Sequence, residues 1–217
     1  MNSMYDAIEL VLFHAGDEPA LADRYHAGQL ASYGRHGAGA AAERTRELAA
    51  DGVHMVAAID AAGGVQAGMR IHHRRPGRPL PVELALADRC PIGAALDARE
   101  PAPVVEMSGL WVAEAHRQGP LAAAVTRTAI AACRMLGARS IVGCAHQHVL
   151  AFYQRYGAVV DAALGAHPYP SPRYATQVVF SDLVTLAGVA PAEQGPLERL
   201  TRHLRSATHL PLVQACA

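Results

Sequence analysis

An α/β or α+β fold is what this sequence predicts, on three observations. Short apolar or alternating segments that read as strands are interleaved with longer segments whose apolar residues recur every three or four positions. Two of the strand-like segments are joined by Asp60-Ala61-Ala62-Gly63-Gly64, a Gly-bearing connection that implies a hairpin. The 217 residues are 51% hydrophobic and 18% charged, enough to bury a substantial core and far from the profile of a disordered chain.

Taken in order, residues 5–13 read as a first strand, ending at His14-Ala15-Gly16-Asp17. Asp17 is placed to cap the next helix, with Pro19 in its first turn, and Leu21, Tyr25, Leu30 and Tyr33 keep near-helical spacing as far as Gly34. A second helix is expected over residues 40–50, stopped by Asp51-Gly52, followed by the hairpin strands 53–59 and 65–72. Residues 74–103 are irregular and Pro-rich, and 82–87 fit either one helical turn or a short strand. Residues 104–112 form a strand whose internal glycine, Gly109, points to a bulge or a close backbone approach. A turn through residues 116–120 opens a helix that keeps Leu121, Val125, Ala129, Ala132 and Leu136 on one face, with Arg127 and Arg134 on another. Residues 140–144 read as a buried strand, 149–156 as a helix closed by Gly157, and Val159 and Val160 as the start of a strand. The last strand is expected over 174–180. An amphipathic helix over 191–206 carries Leu197, Leu200 and Leu204 on one face. The expected organisation is one domain, residues 1–186, with a helical extension over 187–217.

Composition narrows the function classes. All 19 basic residues are arginine, balanced by 19 acidic ones, so no nucleic-acid footprint is expected. No apolar run reaches the ~20 residues that span a bilayer, and the first residues lack the pattern of a signal peptide. A cytoplasmic location is expected. Cys90, Cys133, Cys144 and Cys216 form no CxxC pair and read as reduced thiols. The alternation Cys144-x-His146-x-His148 suggests metal ligands but lacks a fourth, so no metal site is expected.

Two stretches carry a family resemblance. Residues 104–122 hold Glu106-Met107-Ser108-Gly109-Leu110-Trp111-Val112 followed by His116-Arg117-Gln118-Gly119-Pro120-Leu121-Ala122. Residues 146–159 hold His146-Gln147-His148-Val149-Leu150-Ala151-Phe152-Tyr153-Gln154-Arg155-Tyr156-Gly157-Ala158-Val159. Together they resemble the Gcn5-related N-acetyltransferase (GNAT) superfamily, whose signature Asn-x-x-Ala-x-x-Phe-Tyr-x-x-x-Gly-Phe is matched with His146 for Asn and Ala158 for Phe. Within it, Glu106-x-Ser108-Gly109-Leu110-x-Val112 resembles the Glu-x-Ser-Arg-Leu-x-Val strand of autoinducer synthases and long-chain N-acyl amino acid synthases, with Gly109 in place of Arg. Arg70 in Gly68-Met69-Arg70-Ile71, and Arg24-Tyr25, resemble further arginine-bearing segments of those enzymes. The resemblance implies an α+β fold, an α/β/α sandwich with a central mixed, mostly antiparallel sheet. It implies transfer of an acyl group from coenzyme A or an acyl carrier protein to a small-molecule amine such as an amino acid, by a monomer or homodimer. The alternatives are acetyl transfer from acetyl coenzyme A to a small-molecule amine, or a non-catalytic module of this fold that binds an acyl carrier protein.

Roles follow from the resemblance together with the chemistry of each side chain. Glu106, charged in an otherwise apolar strand, is either a base for the acceptor ammonium or the ion-pair partner of Arg70. Ser108 shares its face and orients the acceptor or a water, or is a satisfied core hydroxyl. Tyr153 suits protonation of a departing thiolate, with Tyr156 as its competitor. The amides near Leu110, Trp111 and Val112 would pair with the amide-bearing arm of the donor as an added strand would. Gly109 either splays that strand, freeing an N–H for an oxyanion, or is a tight packing site. Arg117, Gln118, Gly119, Leu121 and Ala122 fall at the phosphate-binding helix start, and His146 at the signature's first position. Pro120 removes one donor there, which favours a carrier protein's single phosphodiester over a pyrophosphate. Arg24, Arg70 and Gly109 are the expected acceptor-binding residues.

Overall fold

The computed structural model describes residues 8–47, 52–99, 102–206 and 209–211. Strands β1 (Glu9–His14), β2 (Val53–Ile59), β3 (Val65–His73) and β4 (Val104–Val112) are successive antiparallel neighbours. β4 then pairs in parallel with β5 (Ser140–His146). β5 pairs antiparallel with β8 (Thr176–Asp182), which also carries the two-residue strands β6 (Val159–Val160) and β7 (Ala166–His167). At the far edge β9 (His209–Pro211) pairs with β1. The order is therefore β6-β8-β5-β4-β3-β2-β1-β9, mixed and mostly antiparallel.

Helices cover both faces, which is why strands such as β1 are apolar at consecutive positions. Leu10 and Leu12 enter the cluster under α5 (Leu121–Met135), whereas Val11 and Phe13 enter the cluster under α1 (Pro19–Gly34). The second face is completed by α2 (Gly39–Glu47), α3 (Pro81–Leu86) and α4 (Ile92–Asp97). The segment 82–87, which fitted helix or strand, is helical as far as Leu86: Pro81 sits in the first turn of α3 and the Glu83 carboxylate accepts from the Leu80 N–H at 2.9 Å.

The last helix, α7 (Pro191–Leu204), lies against α5. Leu197, Leu200 and Leu204 are buried in the core cluster that α5 shares, and the arginine face of α5 receives α7's polar side chains. α6 is shorter than expected, Leu150–Gln154: a 3-10 turn over Gln147–Val149 precedes it, and at its end the Tyr156 N–H turns back to Tyr153 O at 2.9 Å. The last expected strand starts two residues later, at Thr176, since the Tyr174 N–H turns back to Ser171 O. The beginning of the first expected strand (residues 5–7), the end of the second helix (48–50) and Cys216 lie outside the described residues.

Two backbone irregularities position the site. Between Gly68/Trp111 and Arg70/Ser108 the β3–β4 register shifts, so that Gly109 and Leu110 face one residue, Met69. Gly109 has φ +68°, the conformation of a glycine bulge. The β4–β5 pairing runs only from Val104/Ser140 to Glu106/Val142. The strands still approach at Gly143, where a Cβ would sit 3.2 Å from Met107 O, and no pairing follows beyond it.

Candidate active site

A cleft of about 500 Å³ passes through the sheet where β4 and β5 part. On the α1–α3 face it is lined by Tyr33, Arg70, Val82, Glu106, Ser108 and Cys144. On the α5–α6 face Thr126, Ile130, Ile141, Tyr153 and Val179 line it, and His36, Arg117, His146 and Tyr174 line it between α1, α5 and β5.

The bulged strand is held from α1. Gln29 Nε2 donates to Gly109 O at 3.1 Å, Ser32 Oγ to Val112 O at 3.4 Å and Tyr33 OH to Leu110 O at 3.4 Å. Residues 29, 32 and 33 share one helical face with Tyr25, which packs edge-to-face on Trp111 at 5.7 Å. Trp111 in turn lies against Gly28, where a Cβ would fall 2.2 Å from the indole ring. A Cβ on Gly109 would meet Gln29 Nε2 at 2.5 Å and Arg70 Nη2 at 2.8 Å. Gly109 is thus both the bulge residue and a tight packing site.

Glu106 is 3% exposed, and its Oε2 accepts from the Val82 N–H at 2.7 Å. Burial pushes its carboxyl up to about 8, against the opposing pull of the Val82 amide and the Arg70 guanidinium. His72, opposite Glu106 in the register, is driven down to about 3 by burial and Arg70, and so stays neutral beside it. Arg70 is buried opposite Ser108 and acts on Glu106 through space. The Ser108 hydroxyl is buried and has no hydrogen-bond partner among the described residues.

Tyr153 enters from the other face, packed against the α5 core cluster and in edge contact with Phe152 at 5.2 Å. Burial raises its phenol above the ordinary tyrosine value, and Tyr33 adds to the effect. Tyr156, also on the lining, is fully within the core. Gly157 closes α6 at φ +82°, and a Cβ there would meet Val189 Cγ2 at 2.9 Å.

The remaining expected site residues divide in two. Leu110, Trp111, Val112, Arg117 and His146 line the cleft together with Glu106, Ser108, Gly109, Arg70 and Tyr153. The His146 ring is fixed by Thr176 Oγ1 at 2.6 Å from Nδ1 and stacks on Tyr174 at 4.4 Å. Gln118, Gly119, Leu121 and Ala122 lie at the start of α5, outside the lining. The Gly119 N–H is already used by His116 O at 2.9 Å, and Arg117 is engaged by Glu114 at 3.1 Å and by the His36 ring. Arg24 is exposed on α1 and does not reach the cleft, because its neighbour Tyr25 takes the inward position. Gln29, Ser32 and Tyr33 were not among the expected site residues. Their signal was a polar and aromatic stripe at helical spacing on the buried face of α1. No three His, Cys, Asp or Glu side chains among the described residues converge to hold a metal ion.

No protein-family model matches this chain. Uncharacterized protein Rv1356c of Mycobacterium tuberculosis is 31% identical to it over 206 residues, covering 85% of this chain and 73% of the relative. A Mycobacterium bovis protein, Mb1391c, matches equally. Among solved structures, FeeM, an N-acyl amino acid synthase from uncultured soil microbes, superposes with TM-score 0.67 at 12% identity, over 89% of this chain and all of that one. BjaI, a coenzyme A-dependent acyl-homoserine lactone synthase solved with S-adenosylmethionine and isopentyl-CoA, gives 0.58 at 16% identity over 89% of each chain. YhbS, a GNAT family N-acetyltransferase of Escherichia coli in complex with coenzyme A, gives 0.56 at 19% identity, over 88% of this chain and 90% of that one.

Proposed function

This chain belongs to one family with the mycobacterial protein Rv1356c and has the GNAT fold, and from that premise we propose that it is an N-acyltransferase. It moves an acyl group from a thioester, carried by coenzyme A or an acyl carrier protein, to the amine of an amino acid or related small molecule. The observation that carries this reading is the cleft through the parted strands, with the buried Glu106 carboxyl on one face of the sheet and the Tyr153 phenol on the other. A thioester threaded between β4 and β5 has its carbonyl open to an amine from one side and its sulfur near a proton donor on the other.

In the reaction, Glu106 takes a proton from the acceptor ammonium, and a carboxyl tuned to about 8 is closely matched to an amine. The neutral nitrogen attacks the thioester carbonyl, forming the C–N bond as the C–S bond breaks. Tyr153 gives its proton to the departing thiolate, and the second proton that the nitrogen sheds as the amide forms restores the phenol through solvent, while the proton held by Glu106 returns to bulk water. The burial that raises the phenol also raises a thiolate formed beside it, so the transfer remains matched. Ser108, with its unpartnered hydroxyl, orients the acceptor, and the buried guanidinium of Arg70 favours an acceptor that bears a carboxylate. We assign the donor's phosphate to Arg117, which lines the cleft and would exchange its contacts with Glu114 and His36 for it. Under α5 the lobe is lined mainly by apolar side chains, Thr126 excepted, and Trp111 is held back beneath α1, which favours a donor chain longer than acetyl.

Incubation with acyl-CoA and acyl carrier protein thioesters and a panel of amino acids tests this by mass spectrometry. An N-acyl product is expected, reduced by roughly 10²-fold or more in Glu106→Gln and in Tyr153→Phe. Tight donor binding with no amine-dependent thiol release, for any acceptor, would make the chain a binding module instead.

A further inference from the structure

A carboxylate outside the cleft joins α7 to the helix that carries Tyr153. Glu193, in the first turn of α7, is 2% exposed. Its Oε2 lies 2.6 Å from Arg127 Nε and its Oε1 lies 3.2 Å from Arg127 Nη2 and 2.6 Å from Arg155 Nη2. Arg127 is on α5 and Arg155 caps α6 two residues beyond Tyr153. The same segment is clamped through the backbone: the Ala190 N–H donates to Arg155 O at 2.9 Å, and Tyr156 bridges to Val189.

A five-residue helix has too few internal hydrogen bonds to fix its own orientation, so α6 is placed by what holds its ends. At its C-terminal end that is Gly157, seated where no Cβ fits against Val189, and the Glu193 carboxylate on Arg155. The carboxylate ties α6 to α5, whose other face lines the cleft through Thr126 and Ile130. Charge-assisted hydrogen bonds donated by two guanidiniums to one nearly inaccessible carboxylate set a geometry as well as an energy.

We infer that Glu193 is a positioning residue for Tyr153: its clasp on Arg155 and Arg127 sets where the phenol stands in the cleft, and α7 is thereby part of the catalytic apparatus. The inference rests on the acyltransferase reading above. Its consequence is that loss of the clasp misplaces the proton donor and slows thiolate departure while leaving donor and acceptor binding largely intact.

The test is a kinetic cycle on the full chain with an acyl-CoA donor and the acceptor that wild type uses. Arg155→Met removes only the half-exposed arm of the clasp and leaves the Arg127–Glu193 pair in place, so it folds even if Glu193→Gln does not. A fall in kcat of ~10-fold or more is expected in either variant, with KM for both substrates within ~3-fold. In a Tyr153→Phe background the same substitutions are expected to lower kcat by less than ~2-fold, because the group they position is gone. Equal losses in both backgrounds, or a rise in KM alone, would show a structural role only and overturn the inference. Slowing by Tyr153→Phe with none by Arg155→Met would overturn it while leaving the acyltransferase reading intact. Absence of turnover by wild type would instead remove the reading on which it rests.

Discussion

At the residue scale the informative side chain is Glu106, a carboxyl that the fold keeps from water and lifts to about 8. Between the ordinary carboxylate range and about 8 the folded chain holds a proton that the unfolded chain has released, so stability falls as pH rises through that window. His26, His54 and His72, lowered to about 4, 4 and 3, act in the opposite sense, but their effect is complete once the unfolded imidazole has titrated near ~6.5. Melting temperature measured from pH ~7 to ~8.5 is therefore expected to fall for wild type and to fall distinctly less for Glu106→Gln; parallel slopes would contradict the raised carboxyl. The acid limb of kcat/KM belongs near the same pH. Gly109 makes the second prediction. Any side chain there meets Gln29 and Arg70 in a left-handed backbone, so Gly109→Ala is expected to cost at least ~1–2 kcal/mol in denaturant unfolding. An arginine at that position, as in the strand motif that β4 resembles, has no room, since the Arg70 guanidinium already stands beside it.

At the element scale, how much was legible depended on whether the signal was local. The β4–α5–β5–α6 succession could be read because apolar periodicity and Gly157 are properties of neighbouring residues. Inward Glu106 could be read because a charge inside an apolar strand needs a reason. The hold of α1 on the bulge could not, since Gln29, Ser32 and Tyr33 reach carbonyls 77 to 80 residues away. Arg24 was misplaced by one step of helical phase, because sequence likeness carried the Arg-Tyr pair without saying which member faces inward. β9 likewise depends on contacts between distant parts of the chain, whereas for α7 the stripe of Leu197, Leu200 and Leu204 implied burial without saying that α5 receives it. For α7 this gives a packing prediction: Leu197→Ala, at a fully buried site shared with α5, is expected to cost ~2–5 kcal/mol of global stability. A much smaller loss, or a separate early melting transition, would mean that α7 folds independently of the sheet.

At the scale of the whole molecule, a feature of composition makes the route of transfer measurable. All 19 basic residues are arginine, so the chain has no lysine amine for a thioester to acylate. Within the cleft, Cys144 is a sulfur nucleophile on the same face as Glu106. Burial raises its thiol well above the ordinary value, and the neighbouring Glu106 and Cys90 raise it further, so it stays protonated in the working range. A protonated thiol is a poor nucleophile toward an acyl carbonyl. Direct attack by the acceptor amine then predicts that the protein incubated with acyl-CoA and no acceptor gains no acyl mass at any cysteine. It also predicts that Cys144→Ser retains kcat within ~10-fold, since no bond is made to that sulfur. An adduct that peptide mapping places on Cys144, formed and discharged at the rate of turnover, would replace the direct route with an acyl-enzyme. Glu106 would then serve as the base of a thiol rather than of an amine, and its acid limb would appear in the acylation half-reaction even with no acceptor present.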